Sequence, residues 1–171
     1  MHVLALDTTT RSGSVAIVDD DRVLVERRGD VARSHAERIP SDLADALAAA
    51  GLSSSDIDVY AVASGPGSFT GLRIGIATIQ GLALVHRRRV VPISILLALA
   101  HVASVDLDEG AVVGAWVDAQ RQEVFSALYR VAGREPFEMG RLVELDPPLV
   151  GPARAVLTRW AEAGSMPCRV A

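Results

Sequence analysis

Lysine is missing from this sequence: all 17 basic residues of the 171-residue chain are arginines. A Walker-type phosphate loop needs Gly, four residues, then Gly-Lys-Ser/Thr, so that class of nucleotide site is excluded. Cysteine is nearly missing too. Cys168 alone cannot form an internal disulfide framework, and its isolation fits a reducing compartment. Aromatics are 4% of a chain that is 50% hydrophobic, so its interior must be built from Ala, Val, Leu and Ile. Positive charge is also scarce. A net charge of −4 and a pI near 5.5 argue against a free-standing nucleic-acid binder, because phosphate contacts need a basic surface. The amino end has no charged, apolar, small-residue signal layout. The apolar run Ile74 to Val85 is interrupted by Gln80 and reads as too short to span a bilayer. A cytoplasmic protein without membrane contact is expected.

The rest of the chain is organised around Ala61 to Gly81, AVASGPGSFTGLRIGIATIQG. A β-branched lead-in from Val59 meets Gly65-Pro66-Gly67, and an apolar helix begins beyond Ser68 and Thr70, predicting a strand, a tight loop and a helix. A dinucleotide fingerprint does not fit, since Thr70 stands where its third glycine belongs and no acidic residue ends a following strand. At about 100° per residue, Gly71, Gly75 and Thr78 share one stripe, while Leu72, Ile76, Ile79 and Ala83 share another. A helix apolar over most of its circumference must be covered on more than one side. Two readings are open: a helix enclosed by its own domain, or a helix–helix interface with a partner subunit.

Before this elbow, His2 to Leu6, Ser14 to Val18 and Arg22 to Arg28 read as an antiparallel meander, with Asp19-Asp20-Asp21 as a tight turn. Ser34-His35-Ala36-Glu37 is a capping box opening a helix to Ala50, where Gly51 supplies the stop. Ile39, Leu43, Ala46 and Leu47 lie on one face, and Pro40 predicts a kink near Ala36. Ser53 to Asp56 reads as a polar loop or capped turn, and Ser94 caps an apolar helix to Ala103. The basic triplet Arg87-Arg88-Arg89 suits a solvated helix C-terminus, with a nucleic-acid contact as the other reading.

Asp106 to Gly110 is the best domain boundary, predicting units 1–105 and 111–171. Beyond it, Ala115-Trp116-Val117-Asp118 echoes Leu4-Ala5-Leu6-Asp7, each followed by a polar turn and an alternating strand. Two copies of strand, Asp, turn and strand suggest a duplicated fold. Arg141 to Leu145 is a possible strand, Pro147-Pro148 a break and Pro152 to Ala163 a helix; Gly164 to Ala171 shows no pattern.

GPGSFTGLRIG at Gly65 to Gly75, LALDTTT at Leu4 to Thr10 and VDAQRQEVFSALY at Val117 to Tyr129 together resemble the bacterial TsaB (YeaZ) family. The likeness covers Met1 to about Tyr129. It implies an α/β, actin-like fold of the sugar kinase, Hsp70 and actin superfamily, with two βββαβα-type lobes of which the second is short or truncated. It implies a non-catalytic partner subunit that binds TsaD for threonylcarbamoyl transfer to adenosine 37 of ANN-decoding tRNAs. TsaE is then a further subunit, a homodimer through the same helices is the alternative assembly, and tRNA is met only through the complex. No cofactor of its own is implied, ATP and threonylcarbamoyl-AMP being handled by the complex.

In that superfamily an acid at the end of the first strand faces nucleotide phosphates, so Asp7 and Thr8 are vestigial cofactor-binding candidates. The other role for Asp7 and Thr8 to Thr10 is to satisfy backbone groups in the turn. The catalytic paralogue carries two histidines four apart on the corresponding helix and binds a metal with them; here Ile39 stands four beyond His35, so no metal site is expected and His35 reads as a capping or interface residue. The family's interface pairs the two helices with their counterparts in the partner, which implies His35, Ile39, Leu43, Leu47, Phe69, Gly71, Leu72, Gly75, Thr78, Ile79 and Leu82 as partner contacts. The alternative is an enzyme in its own right, a nucleotide-dependent ATPase or phosphotransferase, or a glycoprotease-like peptidase. Against it stand the missing lysine and histidine pair.

Overall fold

Alternating apolar residues near the amino end form three antiparallel strands, β1 (His2–Asp7), β2 (Ser14–Asp19) and β3 (Arg22–Arg28), in a computed structural model that describes residues 1–171. Helix α1 (His35–Ala50) starts at Ser34, whose backbone N–H and hydroxyl both donate to the Glu37 carboxylate, at 2.8 and 2.6 Å. These bonds hold the Glu37 carboxyl below its usual range. Gly51, at φ 69°, stops the helix, which runs through Pro40 as one element. A 3-10 turn at Ser54–Asp56 leads to β4 (Val59–Gly65), α2 (Phe69–His86) and β5 (Arg89–Ser94). The five strands are ordered β3-β2-β1-β4-β5, with β4 parallel to β1.

Both helices cover one face of this sheet. Ile39, Leu43 and Ala46 of α1 and Ile79 and Ala83 of α2 pack into a single core with Leu4, Leu6, Val15, Ile17, Tyr60 and Val62. Each fully buried aliphatic side chain contributes about 1.5–3 kcal/mol, which is what fixes the helices there. By length and composition alone α2 is long and apolar enough to cross a membrane, longer than the run the sequence suggested; its inner stripe is committed to this core.

The chain divides into two units, Met1–Ile93 and Ser94–Ala171, so the break precedes the acidic stretch Asp106 to Gly110 that the sequence favoured. The reason is packing. Leu96, Ala100 and Ala103 of α3 (Ile95–Ala103) form a core with Val113, Ala115, Ala127 and Tyr129 of the second unit. That unit continues with β6 (Val112–Gln120), β7 (Glu123–Val131), β8 (Leu142–Pro152), α4 (Ala153–Glu162) and β9 (Arg169–Val170). Its order, β8-β7-β6-β9 with β9 parallel to β6, reproduces β3-β2-β1-β4 of the first sheet. The echo between Leu4–Asp7 and Ala115–Asp118 therefore marks a duplicated topology.

Pro147-Pro148 does not break β8, contrary to the sequence expectation. Leu128 pairs with Asp146 and Ser126 with Leu149, so both prolines fall at a register irregularity opposite Ala127. On an edge strand such an irregularity tolerates the missing N–H groups.

Candidate functional site

The elbow after β4 is fastened to the turn that follows β1. Gly65-Pro66 is a cis peptide, and the Ser68 N–H donates to the Thr9 carbonyl at 2.8 Å. The Ser68 hydroxyl accepts from the Gly71 N–H at 3.2 Å, capping α2. Beneath that first turn lies Thr8. A Cβ built on Gly71 would stand 2.0 Å from the Thr8 carbonyl oxygen, and one on Gly75 would stand 2.2 Å from Thr8 Oγ1. Only glycine permits so close an approach.

The sequence placed Gly71, Gly75 and Thr78 on a stripe suited to a neighbouring helix. Here Gly71 and Gly75 are the seat of the chain's own β1–β2 turn, and the Thr78 hydroxyl donates to the Ile74 carbonyl at 2.8 Å. Ile39, Leu43 and Ile79 face the core and are at most 7% exposed. Leu47, Leu72 and Leu82 are half-buried, and of the eleven partner contacts expected Phe69 is the one left well exposed, at 72%. The outward side of α2 is Phe69, Arg73, Ala77, Gln80, Gly81, Leu84 and Val85; that of α1 includes Pro40, Ala44 and Ala48. Because both helices cover the same sheet face, these two stripes point the same way. The Arg73 guanidinium lies 5.5 Å from the centre of the Phe69 ring, holding that ring at the surface. The pattern could have shown this surface only if the side taken by the sheet had been known.

His35 and Arg38 join α1 to the same turn. His35 Nε2 lies 2.9 Å from the Thr10 carbonyl, which can only accept, so that nitrogen carries the proton. Nδ1 then accepts from Arg38, 2.8 Å away. The Arg38 guanidinium, almost wholly buried, also donates to Asp42 and to the Ser12 carbonyl. His35 is thus a tie between helix and turn; no group of three or more His, Cys, Asp or Glu side chains is gathered as a metal site would require. Sequence reasoning missed Arg38, since a buried arginine on a helix reads as a surface residue.

Asp7 and Thr8 are the residues that the resemblance implied as cofactor-binding candidates. Asp7 Oδ1 accepts from the Thr9 N–H at 2.8 Å and the Thr9 hydroxyl at 2.6 Å, and Thr8 is fully buried with its hydroxyl unpartnered. Thr8 does not fit a ligand-binding role, and Asp7 serves the turn, as an aspartate at a strand end commonly does. Asp118 repeats the arrangement, its Oδ1 accepting from the Gln120 N–H at 2.8 Å.

A family profile described as "TsaD: tRNA N6-adenosine threonylcarbamoyltransferase" matches residues 29–140. The chain is 38% identical over 139 residues to the tRNA threonylcarbamoyladenosine biosynthesis protein TsaB of Haemophilus influenzae, covering 80% of this chain and 58% of that protein. It is 38% identical over 130 residues to the TsaB of Escherichia coli, covering 76% of this chain and 55% of the relative. The chain thus spans little more than half the length of these two curated relatives. The solved structure of YeaZ from Pseudomonas aeruginosa superimposes with a TM-score of 0.77 at 30% identity, over 99% of this chain and 83% of that one.

Proposed function

Because this chain belongs to the TsaB (YeaZ) family and has an actin-like α/β fold with two sheets, we propose that it acts in tRNA threonylcarbamoyladenosine synthesis as a non-catalytic subunit. It binds TsaD and keeps it competent to transfer the threonylcarbamoyl group to adenosine 37 of ANN-decoding tRNAs. One observation carries the reading. On a helix whose inner stripe is already packed, Phe69, Leu84 and Val85 remain 72%, 80% and 75% exposed. Large apolar side chains exposed at both ends of the helix's outward side, with the small residues Ala77 and Gly81 between them, suit a surface covered by a partner. Covering Phe69 and Leu84 in a partner would stabilise the complex by about 1.5–3 kcal/mol each, the size of an interface anchor.

TsaE joins as a further subunit, and a second copy of this chain takes the same face when TsaD is missing. ATP and threonylcarbamoyl-AMP are handled by the complex, this subunit holding no cofactor of its own. The acidic net charge supports a tRNA contact made by other subunits, in a cytoplasmic assembly.

The test is to mix the full chain with TsaD at tens of micromolar and read the mass by light scattering. A 1:1 complex is expected; independent elution overturns the reading. A second reading, a nucleotide-dependent enzyme, is favoured by the profile match to a transferase. Metal-dependent ATP turnover by the isolated chain, lost in Asp7→Ala, decides for it.

A further inference from the structure

Two connections of the second unit are bound together by a buried cation. The Arg141 side chain, 2% exposed, donates to the carbonyls of Gly133 and Arg134, both at 2.7 Å, to those of Leu107 at 3.4 Å and Ser104, and to the Ser104 hydroxyl at 3.5 Å. This joins the α3–β6 connection to the loop between β7 and β8. All of the acceptors are neutral, so a guanidinium is desolvated to fix an otherwise exposed loop.

That loop presents apolar groups to solvent. Met139 is fully exposed and Phe137 62% exposed; Val102 in the last turn of α3 and Val105 just after it are exposed too. The Phe137 ring stacks on His101, centroids 6.0 Å apart and planes 25° apart. Its backbone sits at φ 63°, a region that bulky residues seldom adopt. Asp108, Glu109, Glu135 and Glu138 are exposed on the same two connections, against one exposed cation, Arg134. Asp106 is paired with Arg169.

We propose that this end of the second unit docks a basic protein segment, its central aliphatic residue seated on Phe137 and Met139 and its flanking arginines or lysines held by the surrounding carboxylates. The sign of the charge selects the occupant. Phosphate backbones, anionic lipid headgroups and a second acidic copy of this face are all repelled, whereas a cationic segment is attracted. The surface lies in the other unit from the α1 and α2 stripes, so the proposal stands or falls separately from TsaD binding there.

The test is an NMR titration of the full chain with the synthetic peptide Arg-Arg-Leu-Leu-Arg-Arg, and in parallel with hexa-arginine, phosphatidylserine vesicles and single-stranded RNA. The expected result is amide shifts centred on residues 101–110 and 133–141, with hexa-arginine at least tenfold weaker. Phe137→Ala with Met139→Ala should weaken the leucine peptide at least tenfold, as should Glu135→Arg with Glu138→Arg, which alters exposed positions only. Shifts elsewhere, equal binding of hexa-arginine, preference for vesicles or RNA, self-association through this loop, or indifference to both double variants would overturn the proposal.

Discussion

Gly75 sits directly against Thr8: a Cβ at Gly75 would come within 2.2 Å of the Thr8 hydroxyl oxygen and 3.2 Å of its Cβ. The first half of α2 is therefore a bed for the β1–β2 turn, and the position of that helix on the sheet depends on a residue without a side chain. Gly75→Ala should destabilise the first unit by about 1–3 kcal/mol through overpacking. Adding Thr8→Ala should restore much of the loss, because it removes the nearest atom. Urea midpoints of the two single variants and the double variant form the cycle that checks this.

The hydroxyl of Thr8 is itself buried without a partner. Thr8→Val keeps the shape and removes the orphaned group, so it should be neutral or stabilising by up to about 1 kcal/mol. A loss exceeding 1 kcal/mol would mean that the hydroxyl has an acceptor.

Much of this arrangement was legible in the sequence. Ser34, Glu37 and Gly51 marked the ends of α1, Ser94 marked the start of α3, and the repeated aspartates Asp7 and Asp118 marked the duplicated turn. Periodicity shows which residues of α2 share a face but not which face the sheet takes, so it left an enclosed helix and a partner interface both open, and the glycine stripe that the resemblance implied as a partner contact lies against Thr8. Nor could it show Arg38 and Arg141 as buried ties, because a buried arginine depends on carbonyls brought in from distant segments. Pro147-Pro148 looked like a stop, since local chemistry does not reveal an edge-strand irregularity.

Arg141 gives a third prediction. Arg141→Met keeps the apolar stem but removes every donor, leaving the carbonyls of Ser104, Leu107, Gly133 and Arg134 to find water or go unpaired. A loss of about 3 kcal/mol in the second unit is expected, with amide exchange quickening in residues 133–140 before it does in β6.

The second unit should also weaken at high pH. Burial, with a smaller effect from Glu144, pushes the Tyr129 phenol up to about 12 from its ordinary 10.0. The neutral phenol is favoured in the folded state, so its contribution is fully present below pH 10 and is lost as pH rises from 10 towards 12, where only the unfolded chain releases its proton. Urea titrations across that range should show a falling midpoint that flattens in Tyr129→Phe.

The central claim is that the outward stripe of α2 is a subunit interface. Ala77 is exposed at the middle of that stripe, so Ala77→Glu should leave the fold intact and place a charge where the partner packs. Calorimetry of the full chain with TsaD should show affinity falling at least 100-fold for Ala77→Glu, with the thermal midpoint of the isolated chain unchanged. Wild-type affinity in a correctly folded Ala77→Glu protein would contradict the account.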